Sequence, residues 1–170
     1  MCAICDGATR EEMVERDLDH IDRYGFCLVG VEAEVPWVYT IGLRWTMALP
    51  EMAVVGWPIE TACAVIHRVV ETGRDEPESI RPGAHLTIGD GELHVGRVAP
   101  ENLTGEWFSW WPEIARAAGR GTLALRAVQL QPECSGRCLE PHDLLDDALE
   151  RRRTPRALAR ARRTRMCTRQ

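Results

Sequence analysis

The residues best suited to chemistry are thiols and imidazoles. Cys2 and Cys5 stand three positions apart at the start of the chain, Cys134 and Cys138 four apart near its end, and His142 follows them. If the fold joins these two hooks, four thiolates can close a tetrahedral site. Such a site selects zinc, with an iron–sulfur cluster as the softer option. His142 is the alternative fourth ligand. Two features weigh against it: the second spacing is wider than a usual knuckle, and Cys2 sits where chain ends fray. As a redox pair, Cys2 and Cys5 lack the preceding strand of a thioredoxin-like unit. The plainer reading is structural, with a turn at Asp6-Gly7 and the sulfurs acting as small hydrophobes. Cys27 and Cys63 fall in apolar strand and helix patterns and read as packing residues.

His85 and His94 flank Asp90-Gly91, a dipeptide that favours a two-residue hairpin turn. If the two arms pair, the imidazoles meet across the hairpin, where they can bind a metal or carry protons. With the phenol of Tyr39 they make a candidate ligand site. The plainer reading is a pair of ordinary strand histidines. Trp107, Phe108, Trp110 and Trp111 put too many large rings on one short helical stretch for all to be buried. They are the expected binding surface. No phosphate loop, dinucleotide fingerprint or nucleophile elbow occurs, and no two acids stand out as an acid–base pair.

Charge divides the chain. Residues 151–170 hold nine arginines and no acid, so the other 12 basic residues share 1–150 with all 26 acids, a body of −14 beside a tail of +9. Such a tail can bind nucleic acid. The favoured reading is a solvated tail that folds back on the acidic body. No apolar run is long enough for a membrane span. Asp6, Glu11 and Glu12 stand where a secretory signal would be basic and then apolar. The expected compartment is the cytoplasm.

These groups must be held by recognisable elements. Thr9-Arg-Glu-Glu12 is a capping box, and Met13, Val14, Leu18 and Ile21 recur at helical spacing. A helix over 10–24 with Gly25 as its C-terminal stop follows. Strands are expected at 26–34, 37–43 and 52–57, then a helix over 59–72 ended by Gly73. The hairpin spans 85–98. A helical region interrupted by Pro112 runs over 100–118, and a last strand over 123–130. In the second strand, alternation puts Trp37, Tyr39, Ile41 and Leu43 on one face. Together these predict an α+β fold, a mixed and mainly antiparallel sheet with two to three packed helices. One domain would cover 1–131. A Cys/Pro turn and an acidic helix would occupy 132–150, and a flexible arginine-rich tail 151–170.

Four segments stand in a suggestive order: Cys5-Asp6-Gly7-Ala8, Tyr39-Thr40-Ile41-Gly42-Leu43, Pro50-Glu51 and Gly56-Trp57-Pro58. Together they resemble an uncharacterised bacterial domain-of-unknown-function family of actinobacterial type. The resemblance covers about 2–131. It implies a small α+β domain and carries no catalytic residue. Cys134 and Cys138 fall outside its pattern, as does the arginine tail.

The leading functional expectation is a non-enzymatic binding protein whose partner is another protein. Nucleic acid, reached through 151–170, is the less favoured partner, and a membrane is not expected. The alternative is a small metal-assisted or thiol-dependent enzyme, such as a biosynthetic gene cluster encodes, with zinc as its cofactor.

Overall fold

The computed structural model describes residues 8–103 and 107–132. Its first element, α1 (Arg10–Tyr24), begins on the expected capping box. Thr9 Oγ1 accepts from Glu12 N–H at 3.2 Å, and the Glu12 carboxylate accepts from Thr9 N–H at 2.8 Å. Gly25 ends the helix in the left-handed region at φ 87°, its N–H donating to Ile21 C=O. Thr9→Ala should lower the melting temperature by a few degrees, because it removes the hydroxyl that accepts from Glu12 N–H and leaves only the backbone half of the box. An unchanged melting curve would mean that packing alone starts α1.

Strands β1 (Cys27–Val31), β2 (Trp37–Ile41) and β3 (Glu51–Val55) form an antiparallel meander. A single helical turn, α2 (Leu43–Thr46), lies between β2 and β3, where the sequence suggested only a loop. The long helix α3 (Ile59–Asp75) follows, then the hairpin of β4 (His85–Ile88) and β5 (Gly91–Arg97). After a short helix, α4 (Trp111–Ala117), the strand β6 (Ala127–Pro132) inserts between β3 and β5. The sheet order is β1-β2-β3-β6-β5-β4, with β3–β6 the one parallel junction. The fold is therefore α+β with a mixed, mainly antiparallel sheet.

Both sheet faces are covered. Ala62, Ile66, Val69 and Val70 of α3 pack on Val38, Met52, Val54, Val95 and Leu130. Ile21 of α1 with Trp111 and Ile114 of α4 close the other face over Trp37, Tyr39, Ile41 and Ala53. Strand β2 is buried on both faces. Leu43 departs from the expected alternation. The chain turns into α2 at that point, and Leu43 joins the α3 side instead.

Other boundaries differ for physical reasons. Gly73 does not end α3; it lies buried inside the helix, where a Cβ would come within 2.8 Å of Ile80 and 3.1 Å of Leu49. Its role is close approach. The hairpin turn is Gly89-Asp90, since Ile88 pairs with Gly91. Gly89 supplies the positive φ (61°) at the first turn position, as a type II′ turn requires. Pro112 sits in the first turn of α4, where its missing N–H costs nothing, and so starts a helix it was expected to interrupt. The last strand begins later than expected, where β3 and β5 offer edges to it. Among the described residues no helix is long and apolar enough to cross a membrane.

Candidate functional site

The least expected polar group in the interior is Glu51, at the start of β3. It is fully buried. Its Oε1 accepts three N–H donors: Gly42 at 3.1 Å, Arg44 at 3.4 Å and the Trp111 indole at 3.3 Å. Its Oε2 faces the Thr40 hydroxyl at 2.7 Å. Thr40 Oγ1 also accepts from Met52 N–H at 2.9 Å, so this hydroxyl splices β2 to β3. Burial pushes the Glu51 carboxyl up to about 7, against the four hydrogen bonds that favour its charged form. The two oxygens are not equivalent. Oε1 meets only obligate donors and stays an acceptor in either state. Oε2 meets a hydroxyl, which can donate to a carboxylate or turn and accept from a carboxylic acid. The proton therefore belongs on Oε2.

A second polar seam lies on the same face. Tyr39 Oη accepts from Trp110 N–H at 3.1 Å, and the Trp110 indole donates to Asp17 Oδ2 at 2.8 Å. Asp17 is itself buried and takes Arg16 on its other oxygen at 3.0 Å. Burial pushes the Tyr39 phenol up to about 12 and the Cys27 thiol up as well. Both hold their protons at neutral pH. This seam joins α1, β2 and the segment leading into α4. Its bonds tie these three elements together.

The expected site residues fall in several places. Trp107, Phe108 and Trp111 are interior rings, against Trp37, Tyr39 and Trp45 respectively. They close the core and offer no contact surface, because the sheet face beneath α4 is wide enough to absorb them. Trp110 is half-buried, with the Arg10 guanidinium over its ring at 5.5 Å. Tyr39 and the histidines do not meet. Tyr39 is on β2, His94 on β5, and β3 and β6 run between them. His85 and His94 are brought together as cross-strand neighbours with ring centroids 5.0 Å apart. Cys2, Cys5, Cys134, Cys138 and His142 lie outside the described residues, as do the acidic helix and the arginine tail. Among the described residues no three His, Cys, Asp or Glu side chains gather as a metal cage. Cys27 and Cys63 are both free thiols, one in each core cluster.

One open feature remains on the α1–α4 side, a groove of about 490 Å³. Val14, Leu18 and Ala117 give it apolar surface. Glu11, Glu15, Asp19, Asp22 and Glu113 supply carboxylates, with Arg10 and Arg116 as the cations. Arg10 is engaged by Glu113 through a two-pronged ion pair, Nε to Oε1 at 2.6 Å and Nη2 to Oε2. That pairing holds the Glu113 carboxyl below its usual range.

Glu51 stood out only as part of the Pro50-Glu51 segment, with no role assigned to its carboxylate, and the groove was not singled out from the sequence, although each had a signal there. Glu51 abuts a strand apolar on both faces, Met52–Val55, so its side chain had to enter the core. Glu11, Glu15 and Asp19 recur every four residues along α1, which aligns them on one face. Neither a curated protein nor a solved structure matches the chain. Residues 20–129 match the family described as Domain of unknown function (DUF4262). That is more than half of the chain, which therefore belongs to this family.

Proposed function

We propose that this domain is a cytoplasmic, non-catalytic interaction module whose α1–α4 groove takes a basic, amphipathic segment of a partner protein. The observation that carries the reading is the groove's composition, an apolar floor beneath five carboxylates and two guanidiniums, one of them already paired. A peptide with arginines on one side and leucines on the other matches both surfaces, whereas a nucleic acid backbone is repelled by them. Trp110 borders this surface through Arg10.

The enzyme reading has less support. The thiols of Cys27 and Cys63 are pushed up by burial, which removes their nucleophilic form. Glu51 is sealed from solvent. Catalysis would then rest on Cys2, Cys5, Cys134 and Cys138, or on the histidines.

The test is a titration of the full chain with a labelled Arg/Leu amphipathic peptide, read by fluorescence anisotropy. Binding should weaken with added salt. It should fall at least about tenfold in the double variant Glu15→Arg/Asp19→Arg, since each reversal turns an attraction into a repulsion. Equal affinity in wild type and variant would remove the groove as the binding surface. A chain lacking 151–170 should bind the peptide more tightly if its own tail competes for the groove.

A further inference from the structure

We infer that His85 and His94 form a bis-imidazole site for a late first-row divalent metal ion, copper(II) or zinc(II). The two-residue turn Gly89-Asp90 fixes the hairpin register and sets His85 directly opposite His94. The closing pair of such a hairpin, Ile88 and Gly91, is a hydrogen-bonded one. Alternation back along the ladder makes His85–His94 a non-hydrogen-bonded pair, the kind whose side chains stand closer. Leu86, Leu93 and Val95 enter the core under α3, so the pleat turns both imidazoles to the opposite face. Helices α1 and α4 pack over the other half of that face, above Trp37, Tyr39 and Ala53. His85 is exposed and His94 half-buried, which leaves the pair open to an ion from solvent.

The spacing suits chelation. The ring centroids are 5.0 Å apart and the planes are inclined at 59°. A metal about 2.0–2.1 Å from one nitrogen of each ring, at a tetrahedral angle, puts the centroids about 5 Å apart. Neutral imidazole is a borderline donor, so affinity follows the order of the late divalent ions, with copper(II) above zinc(II). The row continues to Gln131 on β6, which is opposite His94. Strand β6 ends one residue later at Pro132, and the chain runs on to Cys134 and Cys138.

The experiment uses full-length, untagged protein stripped with a chelator. It is dialysed against micromolar copper(II) or zinc(II), and bound metal is counted per chain. One ion per chain is expected, with affinity reduced about ten- to a hundredfold or more in His85→Thr and in His94→Ala. His85→Thr keeps a strand former at an exposed edge position, so that variant retains the hairpin. The copper form should show nitrogen hyperfine coupling in its electron paramagnetic resonance spectrum. Retained binding in Cys134→Ser/Cys138→Ser assigns the site to the histidines alone; reduced binding in both the cysteine and the histidine variants assigns it to mixed ligands. Either result supports the proposal. Three results overturn it: no bound ion, a copper spectrum without nitrogen coupling, or binding that the cysteine variant loses and both histidine variants keep.

Discussion

Glu51→Gln should fold normally and lose stability far less steeply than wild type between about pH 5 and 8. In the native state burial holds this carboxyl at about 7, above its unfolded value of 4.5. The native state therefore binds the proton more tightly than the unfolded chain. The resulting stabilisation is fully present below the unfolded value and is lost as pH rises through 7, amounting to about 3 kcal/mol. Glutamine cannot ionise, so the variant escapes that loss. Its amide oxygen can keep the donors from Gly42, Arg44 and Trp111, while its NH₂ donates to a reversed Thr40 hydroxyl. Above pH 7 the variant should match or exceed wild type in urea unfolding. Glu51→Ala should behave oppositely. It leaves two buried N–H groups, of Gly42 and the Trp111 indole, without an acceptor, each costing about 1–3 kcal/mol, strands the part-buried Arg44 N–H, and adds a cavity. Parallel stability curves for wild type and Glu51→Gln across this range would sink the argument.

Gly42→Ala should lower the melting temperature by more than about 10 °C. Gly42 has φ 119°, a conformation L-residues rarely adopt, and strain of that kind costs about 1–3 kcal/mol. Its added Cβ would also meet backbone, 2.9 Å from Gly25 O and 3.1 Å from Phe26 Cα, so relief requires moving the end of α1 away from β2. Overpacking of this type adds about 1–3 kcal/mol. The Gly42 N–H also holds Glu51, so the displacement spreads into the polar knot. Gly56→Ala is the control. Its φ is also positive, at 81°, yet nothing lies within 4 Å of the new atom. It should show strain without collision and a clearly smaller drop. Equal drops would assign the whole effect to backbone strain.

The parts of this fold legible in the sequence are those governed by near neighbours. The box at Thr9 and Glu12, the stop at Gly25 and the presence of the hairpin each depend on a few consecutive residues, although its turn lies one residue before the expected Asp90-Gly91 and it is that shift which sets His85 opposite His94. Where a partner lies far along the chain, local pattern misleads. Gly73 looked like a stop because helices commonly end on glycine; Ile80 and Leu49 are what require it. The rings at 107–111 looked like an exposed surface, yet Trp107, Phe108 and Trp111 are buried and only Trp110 stays half-buried, because nothing local tells how wide a sheet face they must cover. The two segments Tyr39–Leu43 and Pro50-Glu51 stood out as motifs with no stated reason. They meet in one knot, Thr40 and Gly42 both bonded to Glu51. The groove was the least legible feature, since its second wall is a seven-residue helix brought over α1 from far along the chain.

The position of β6 also has a consequence for how the chain is made. The meander β1-β2-β3 and the hairpin β4-β5 are each assembled from near neighbours; α3 packs on both, but within the sheet they are joined only by the strand inserted between them. That strand is the last of the six to leave the ribosome. Until residue 132 emerges, β3 and β5 each present a bare edge, and the backbone N–H of Glu51 lacks its acceptor, Arg126 C=O. Loop-closure entropy must be overcome before the sheet gains from joining, which makes this the slow step of assembly. A ribosome stalled before β6 would hold two half-sheets with open, apolar edges, the form of this protein most exposed to aggregation and most in need of a chaperone.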